Sequence, residues 1–420
     1  MFKSLSFRAV GLLGGILAGT SASADVYNRQ ILPLGEAEMF MANTGTGRAT
    51  DGGAVYYNPA GLSDIRGSSI SVSGSAYLSS EYNLDNLLSV AGSQTPFQAK
   101  SFNTVPTTYV AVKEWGEWHL ALSALVPDSS QIDSVVDTTN NGVGLTWLQS
   151  YQQSDLWVGL SAGHKIADAW SLGLSVFYIK DNTSQVSSVQ AVNTGNNKSV
   201  TVLQHTNQSE SGISALIGTK WKFSDSLQFG LRLQSPILHV SGKGDVFQRS
   251  LTTSGGTVTP SLVTQTDLSA NYDLPWDATL GTAYILSDSL TLLFDLSFSA
   301  AFQFDSLLNS TFSTHYQGQP TFRTNFGIEF KPSDHIALQG GFLYDPSAIH
   351  SLDGRDDGTI RIDYYGITVG LGWSVEHVRT SLGFVYIWAS GQALVLASGG
   401  QVSPVSVSQM GGLLSTAYLF

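Results

Sequence analysis

The chain has 420 residues, a formal net charge of −12, no cysteine, and only 12% charged residues. The acidic balance argues against nucleic acid as a partner, and the lack of cysteine excludes disulfide scaffolds and cysteine-based metal or nucleophile chemistry. So few charged residues are untypical of a soluble domain with a charged surface. After the amino terminus no stretch of about 18 apolar residues occurs, so a helical inner-membrane protein is not expected.

The amino terminus has the features of a secretory signal peptide. Lys3 and Arg8 give it a basic start, residues 9–18 form an apolar core, and small residues at 22–24 offer a cleavage site. The apolar core is too short to span a membrane as a helix. We therefore expect residues 1–24 to be a signal peptide and the exported, mature chain to begin near Asp25.

The segment 25–67 lacks a strand-like alternation and is rich in glycine. Glycine accepts positive φ angles and lets other backbone come close, which suits a segment folded in a confined space. Pro59 fixes its own φ and restricts Asn58, whose side chain can hydrogen-bond nearby backbone groups. Two interpretations remain open: a plug folded inside a larger structure, or a simple loop that leads into the first strand.

From residue 68 onward, apolar and polar residues alternate, which gives a β-strand one apolar and one polar face. The longest case is 262–286, in which each even-numbered residue is apolar, aromatic or threonine. In a soluble sandwich such strands would be shorter, and a second sheet would cover the apolar face. Lipid outside and water inside is the simplest environment for this pattern. We therefore predict an all-β fold, a transmembrane antiparallel β-barrel formed by residues 68–420.

Alternation and turn chemistry predict fourteen strands. In chain order they are Ser69–Leu78, Pro106–Lys113, Trp118–Val126, Leu156–His164, Trp170–Ile179, Ile213–Phe223, Leu227–Val240, Leu262–Leu286, Leu290–Phe302, Thr321–Phe330, His335–Tyr344, Thr359–Trp373, Arg379–Trp388 and Ser406–Phe420. Six connections are short, and seven are longer and polar, at 81–105, 127–150, 181–208, 241–259, 303–320, 345–358 and 389–405. This asymmetry is typical of outer-membrane barrels, in which the short turns are periplasmic.

Two places in the predicted strands are candidates for a local defect. Pro275 lies within the 262–286 run, and proline cannot donate a hydrogen bond to a neighbouring strand, so a break or bulge is expected there. Around Gly366 the apolar positions switch from even to odd numbers, which predicts a β-bulge.

The carboxy terminus, Leu414-Ser-Thr-Ala-Tyr-Leu-Phe420, resembles the last strand of outer-membrane barrels. Those strands end in an aromatic residue, with apolar residues at alternating positions before it. The resemblance implies that the barrel assembly machinery binds the chain through Phe420.

The segment before the first strand resembles the N-terminal hatch of FadL-type outer-membrane transporters for long-chain fatty acids and aromatic hydrocarbons. In that family a Gly/Ala-rich stretch and an acidic residue precede an Asn-Pro-Ala motif. The matching residues here are Gly45, Gly47, Asp51, Asn58, Pro59 and Ala60. The resemblance implies that residues 25–67 fold as a hatch, or plug, inside the lumen of a monomeric, fourteen-stranded barrel in the outer membrane.

No set of residues has the arrangement of a catalytic site. The histidines lie apart, near predicted turns and loops or alone on an inward strand face, without a Ser–acid neighbourhood. A loop with Asp353, Asp356 and Asp357 does not match a calcium loop, and Arg355 opposes a cation, so a solvated acidic loop is the favoured interpretation over a cation site. No nucleotide motif occurs. We therefore expect no enzyme activity, no cofactor and no metal.

Charged residues on the inward strand faces are candidates for ligand contacts. Alternation places Arg232 and Arg323 toward the lumen, where charge is tolerated. They would hold the carboxylate head of an amphipathic ligand whose tail lies on Phe177, Leu216 and Leu293. The alternative is that these charges form salt bridges in the lumen and hydrogen bonds to the plug.

Together these features predict passive uptake of hydrophobic compounds, fatty acids or aromatic hydrocarbons, through a barrel surrounded by membrane lipids. A plugged lumen blocks a straight aqueous route, so passage requires rearrangement of the plug or a gap in the wall, for which Pro275 is a candidate. One alternative is a structural or secretion-associated barrel that keeps a fixed plug. The other is a general hydrophilic porin, which an N-terminal hatch disfavours.

Overall fold

The computed structural model describes residues 24–29, 32–90, 93–353, 360–395 and 401–420. The predicted signal peptide, residues 1–24, lies outside the described residues except for its last one. Most of the predicted acidic loop, residues 354–357, also lies outside them. Among the described residues, no helix combines the length and the apolar character needed to span a bilayer.

The chain forms an antiparallel sheet that closes on itself. Its strands are β1 Ser69–Val90, β2 Ser93–Trp115, β3 Trp118–Leu125, β4 Ser129–Asn140, β5 Val143–Ala167, β6 Trp170–Asn193, β7 Lys198–Lys222, β8 Leu227–Gln234, β9 Leu238–Ser254, β10 Thr257–Leu268, β11 Asp277–Ser287, β12 Leu290–Ser299, β13 Phe302–Asp305, β14 His315–Gly318, β15 Thr321–Ser333, β16 Ile336–Asp345, β17 Ile360–Val375, β18 Val378–Val395 and β19 Gln401–Leu419. Pairing of β19 with β1 completes a ring of 14 wall strands. At this seam the N–H of Ser68 donates to the carbonyl of Phe420 at 3.0 Å, and the N–H of Phe420 donates back at 2.9 Å. The predicted fold class and strand number are confirmed.

Three wall strands consist of two segments in line, namely β3 with β4, β8 with β9, and β10 with β11. The interruptions between the segments, with the proline in each, are 126–128 with Pro127, 235–237 with Pro236, and 269–276 with Pro275. Proline lacks the N–H that a strand needs on its paired side, which explains why pairing stops there. The second and third interruptions lie side by side, since the N–H of Ile237 donates to the carbonyl of Leu274 at 3.3 Å.

The run 262–286 is not one strand, because the interruption 269–276, which contains Pro275, divides it as the predicted break at that proline requires. Asp267, at the end of β10, has a φ of 55°, a left-handed conformation outside the strand region. Ala270 and Leu274 are buried in the interior. The even-numbered residues of 262–286 therefore do not lie on one face of a strand, although each of them is of a type that could lie on an apolar face. The number of wall strands is unchanged by this correction.

The predicted β-bulge at Gly366 is wrong. β17 pairs with β16 and with β18 through this glycine without a register shift. The apolar positions switch because the surroundings of the strand change along its length. Ile362 and Tyr364 are buried in the barrel interior, whereas Ile367 and Val369 are exposed on the outer surface. The strand thus has apolar residues on its inner face in one part and on its outer face in another. In the sequence this change of face looks the same as a β-bulge.

The long polar loops predicted between strands are mostly strand. β4 and β5, β6 and β7, and β9 and β10 continue as paired hairpins up to short tips. Both faces of these extensions carry polar residues, so the alternation that marks a lipid-facing strand is missing there. The segment 303–320 differs, because β13 and β14 form a separate two-stranded sheet within it. The six short turns have the predicted places in the chain.

The outer surface carries two rows of aromatic residues. On β6 the exposed Trp170 and Tyr178 are separated by roughly 26 Å along the strand, at about 3.3 Å per residue. On β17 Trp373 and Tyr365 have the same separation and also face outward. Exposed apolar side chains such as Leu174 fill the band between the rows. An apolar band between aromatic rows is typical of outer-membrane barrels.

The residues that precede β1 form short helical turns inside the ring. These turns are α1 Ala24–Tyr27, a 3₁₀ helix Glu38–Met41, α2 Ala54–Tyr57 and a second 3₁₀ helix Pro59–Asp64. We call residues 32–66 the N-terminal segment. Most of its side chains are buried, and they pack against wall strands on opposite sides of the ring, including β7 and β17.

Candidate functional site

The N-terminal segment touches the wall through glycines. A Cβ on Gly173 would overlap the carbonyl carbon of Pro59, and a Cβ on Gly218 would overlap the side-chain oxygen of Asn58. Wall glycines with a similarly close approach to the segment are Gly163, Gly230, Gly281, Gly327, Gly341, Gly370 and Gly383. Many of them are register partners on adjacent strands, as in the pairs Gly163–Gly173, Gly173–Gly218, Gly230–Gly281, Gly327–Gly341 and Gly370–Gly383. The absence of side chains at these positions lets the wall enclose the segment at backbone contact.

The Asn-Pro-Ala motif joins the N-terminal segment to itself and to the wall. The amide nitrogen of Asn58 donates to the carbonyls of Thr46, at 2.8 Å, and of Thr219 on β7, at 3.0 Å. Its side-chain oxygen accepts from the N–H of Ala60 at 3.1 Å and so caps the second 3₁₀ helix, in which Pro59 is the first residue. Ala60 is fully buried. The motif therefore has a structural role at the centre of the barrel.

The predicted glycines of the segment lie against a buried carboxylate. Both Gly45 and Thr46 donate backbone N–H groups to Oδ2 of Asp295 on β12, each at 3.0 Å. Gly47 lies against the backbone of Thr282 on β11, and a Cβ there would be 2.7 Å from the carbonyl carbon. These contacts hold one turn of the segment to two adjacent wall strands.

The predicted acidic residue Asp51 is satisfied within the segment. Its Oδ1 accepts from the N–H of Gly53 at 2.8 Å, and its Oδ2 accepts from the N–H of Ala37 at 3.1 Å. Glu36 lies beside it, since its Oε1 accepts from the N–H of Gly52 at 2.8 Å. The carboxylates thus fix the turn that leads into α2.

Arg232 and Arg323 face the interior, as alternation predicts, and share one carboxylate. Nη2 of Arg232 donates to Oδ1 of Asp277 at 2.6 Å, and Arg323 pairs with Oδ2 of the same side chain. Arg232 also donates to the carbonyl of Tyr56 at 3.3 Å, and its guanidinium carbon lies 5.2 Å from the centre of that ring. Arg232 is only 1% exposed. These contacts are salt bridges and a hydrogen bond to the N-terminal segment, which is the kind of contact that the alternative interpretation of the sequence expected.

The two arginines nevertheless line a cavity, which we call the arginine cavity. It is partly open to solvent and encloses about 50 Å³. Its aromatic and aliphatic lining includes Tyr56, Trp157, Tyr272 and Leu274. In the described part of the chain, the Nε atoms of both arginines are buried without a hydrogen-bond partner. The rest of the lining is mostly polar or charged and includes Asn28, Arg29, Asp128, Asp155, Gln234 and Asp277. Aromatic faces and ionic groups therefore share this cavity, a combination that fixes a ligand's position as well as burying it.

The arginine cavity reaches the barrel wall at an interruption. Pro127 and Asp128, which separate β3 from β4, are among its lining residues. The wall remains joined beside them, since the N–H of Asp155 donates to the carbonyl of Asp128 at 3.0 Å. Leu274 and Tyr272, in the interruption that also contains Pro275, line the cavity as well. Pro275 itself is not a lining residue.

The predicted apolar ligand contacts are distributed differently from our expectation. Phe177 and Leu216 are buried in the same apolar cluster as Trp157, and the rings of Phe177 and Trp157 have centres 5.5 Å apart. They lie behind the cavity lining and are not part of it. Leu293 packs with Met41 in a separate cluster. Alternation correctly predicts which residues face the interior. It does not predict how far along the barrel axis a residue lies or which residues it contacts.

Sequence reasoning missed the residues that complete the cavity. Asp277 is an odd-numbered residue of the run 262–286, and alternation therefore places it on the inward face. Nothing in the sequence shows that two arginines pair with its carboxylate. Tyr272 and Leu274 are even-numbered residues of the run 262–286, and alternation would place them on the outer face. They face the interior only because the strand is interrupted there. Among the described residues no group of histidines and carboxylates has a metal-binding arrangement.

The comparisons with known proteins agree with this architecture. A model of the family described as "Outer membrane protein transport protein (OMPP1/FadL/TodX)" matches residues 20–409. A FadL homologue from Pseudomonas aeruginosa has a TM-score of 0.67 and 15% identity, covering 94% of this chain and 100% of that chain. The toluene transporter TodX from Pseudomonas putida has a TM-score of 0.65 and 15% identity, covering 94% and 100%. The toluene transporter TbuX from Ralstonia pickettii has a TM-score of 0.59 and 14% identity, covering 93% and 99%.

A search of curated protein sequences found no match. The similarity to the solved structures shows the fold, whereas the family model covers most of the chain. The family consists of outer-membrane transport proteins, not of enzymes. With its closed ring of strands and its family match, this chain belongs to the FadL/TodX family of outer-membrane transport proteins.

Proposed function

We propose that the protein is a passive channel that admits hydrophobic compounds, with the arginine cavity as a binding station on their path. The observation that carries the proposal is this cavity, in which aromatic and aliphatic side chains lie beside charged ones and which reaches a wall interruption at Pro127 and Asp128. Hydrophobic burial supplies the affinity, and no energy source or cofactor is required. The names of two solved relatives, which are toluene transporters, support an aromatic hydrocarbon as the ligand.

The N-terminal segment acts as a plug in this proposal. Wall glycines hold it at backbone contact from several sides, so a straight aqueous path along the barrel axis would require many contacts to break together. The interruption at 126–128 offers a shorter way, from the cavity sideways through the wall. The wall is joined on both sides of this interruption by the bonds from Asp155 to Asp128 and from Val126 to Thr107, so we propose that a lateral gap opens here when these bonds break. Pro275 does not line the cavity and is not the proposed gap.

Arg232 and Arg323 orient the ligand in this proposal. Asp277 neutralises one of their two positive charges, and their Nε atoms have no other hydrogen-bond partner among the described residues. An oxygen on an amphipathic ligand, such as a fatty-acid carboxylate, would accept from them, whereas toluene has no acceptor and would contact only the aromatic and aliphatic part of the lining. Such a bond to a charged donor stabilises a complex by about 1.5–3 kcal/mol.

Uptake of labelled toluene by Gram-negative cells with and without the protein tests the proposal. Asp128→Trp places a large ring at the mouth of the cavity, so we expect uptake to fall close to the level of cells without the protein. Asp137→Trp, on the exposed face of β4, is the matched control and should keep wild-type uptake. Heat-modified mobility in gels confirms that each variant has formed its barrel.

Equal uptake with and without wild-type protein would overturn the proposal. The rival function is a structural or secretion-associated barrel, and it predicts a different result. In that case a partner would co-purify in stoichiometric amount, and the arginine cavity would hold no hydrophobic molecule. Ion conductance of the wild-type protein in planar bilayers would instead indicate a general porin.

A further inference from the structure

A second cavity lies farther from the short turns than the arginine cavity. It is partly open to solvent and encloses about 50 Å³, and we call it the acidic cavity. Its carboxyl groups are those of Asp181 on β6 and Glu210 on β7, both beyond the aromatic row that contains Tyr178 on β6. No lysine, arginine or histidine belongs to its lining in the described chain. The described lining therefore holds two carboxyl groups and no basic side chain.

Three carboxylates lie directly side by side at this height. Asp155 on β5 is the register partner of Asp181, and Asp181 is the register partner of Glu210. All three face the interior and are buried, with exposures of 2%, 3% and 4%. Like charges directly opposite each other on adjacent strands destabilise a sheet. Burial and the charge of Asp181 raise the pKa of Glu210 to about 9, so at neutral pH a proton on Glu210 relieves part of this repulsion, and an ammonium group beside the row could take its place.

The hydrogen bonds of the row are incomplete at both ends. Asp181 accepts from the side chains of Gln153, at 3.2 Å, and Thr183, at 3.3 Å. Oδ1 of Asp155 and Oε1 of Glu210 are buried and have no hydrogen-bond partner among the described residues. Lys180 does not supply one inside, because it precedes Asp181 in the strand and so faces the other side of the wall. Asp155 lines the arginine cavity, so Glu210 is the open position on the side of the acidic cavity.

Aromatic rings form another part of the same cavity. Tyr272, Phe304 and Tyr316 line it together with Glu210. The rings of Phe304 and Tyr316 are stacked with centres 5.0 Å apart, and Tyr272 meets Phe304 edge-on at 6.1 Å. Aromatic faces attract an ammonium group and also bury an apolar ligand body.

We propose that the acidic cavity binds the ammonium group of an amphipathic organic amine, with its apolar part against the aromatic rings. Asp181 and Glu210 would accept hydrogen bonds from the ammonium group, and Oε1 of Glu210 would gain the partner that it lacks. An anionic ligand would meet two carboxylates and no cation. A metal ion is not the better occupant, because the described carboxylates and histidines form no metal-binding group. Tyr272 lines both this site and the arginine cavity, but the proposed amine contacts, Asp181 and Glu210, belong to the acidic cavity and not to the proposed hydrocarbon route.

Calorimetric titration of the purified full-length protein, in one nonionic detergent, tests this proposal. The ligands are 2-phenylethylamine, 2-phenylethanol and phenylacetate, which share a ring and differ in the charge of the head group. We expect the amine to bind about tenfold more tightly than the alcohol, and phenylacetate to bind most weakly. Glu210→Gln keeps the size of the side chain and should reduce amine affinity about tenfold while alcohol affinity stays within about twofold.

Asp225→Asn is the matched control, since it removes a carboxylate from an exposed turn between β7 and β8 and should leave all three affinities unchanged. An amine that binds no more tightly than the alcohol would overturn the proposal, as would an unchanged amine affinity in Glu210→Gln. Tighter binding of phenylacetate would also overturn it. Because binding is measured without transport, toluene uptake in a protein that fails this test would leave the proposed channel function intact.

Discussion

Gly173 of the wall and Pro59 of the N-terminal segment are in backbone contact, so closely that a Cβ on Gly173 would overlap the carbonyl carbon of Pro59. The same glycine has glycine neighbours on both sides, Gly163 on β5 and Gly218 on β7. Pro59 thus lies in a groove that three adjacent strands form by lacking side chains. The close contact with Pro59 of the segment therefore requires glycine at these positions of the wall.

Gly173→Val should loosen the N-terminal segment. The branched side chain cannot fit beside Pro59, and inserting extra carbon atoms into a packed interior costs about 1–3 kcal/mol. We expect a lower thermal unfolding temperature and the appearance of ion conductance in planar bilayers. Gly340→Val on β16 is the control, since the nearest atom to its Cβ is 3.5 Å away. If both substitutions changed the unfolding temperature and the ion conductance equally, the proposed role of the glycine groove would be contradicted.

Asp277→Asn should destabilise the barrel interior strongly. It leaves Arg232 and Arg323 buried without their shared carboxylate, and removal of one partner from a buried ion pair costs about 3–5 kcal/mol. The measurement is denaturant unfolding of the reconstituted protein. Asp288→Asn, in an exposed turn, should have no measurable effect. A loss below about 1 kcal/mol in Asp277→Asn would show that the arginines find other partners.

Where lipid contact dictates one strand face, the sequence predicted the structure well. In β17 the outward Ile367, Val369 and Leu371 give a clear alternation, and the strand lies where that alternation places it. The ring of 14 strands follows from such patterns and from short polar turns. Where strands extend past the membrane, the outer face becomes polar and the alternation disappears. That is why the hairpins beyond Tyr178 resembled loops.

Contacts between distant residues could not be predicted in this way. Tyr272 and Leu274 keep the parity of outward residues, and only the interruption of the wall brings them to the arginine cavity. Asp277 and Arg232 meet because β11 and β8 are neighbours in the ring, a pairing that spans 45 residues of the chain. The helix cap formed by Asn58 and Pro59, in contrast, could be predicted, because its chemistry is visible in adjacent residues.

Phe420→Ala should impair assembly without weakening the finished barrel. The side chain of Phe420 is 59% exposed, and the seam with Ser68 uses only backbone hydrogen bonds. If the barrel assembly machinery binds Phe420, as the resemblance implies, the variant should accumulate in the outer membrane at a clearly lower level. Protein that is purified and refolded in detergent should unfold at the wild-type temperature. Normal amounts in the outer membrane would contradict a role of Phe420 in assembly.

Binding of an amine in the acidic cavity should release a proton. Burial, and then the charge of Asp181, raise the pKa of Glu210 to about 9, while Lys180 lowers it. Glu210 is therefore protonated at pH 7.5 in the empty cavity, and Asp155 is the third carboxylate of the row. An ammonium group beside Glu210 favours its ionised form, so the pKa falls and a proton leaves.

Calorimetry in buffers with different ionisation enthalpies measures this release. With 2-phenylethylamine at pH 7.5 we expect release of up to about one proton per bound ligand in the wild-type protein. Glu210→Gln cannot ionise and should release none. At pH 10 the empty protein already carries an ionised Glu210, so this carboxyl group should release no proton there. A release that persists unchanged in Glu210→Gln would assign the titration to Asp155, and the ammonium group would then lie nearer to that residue than to Glu210.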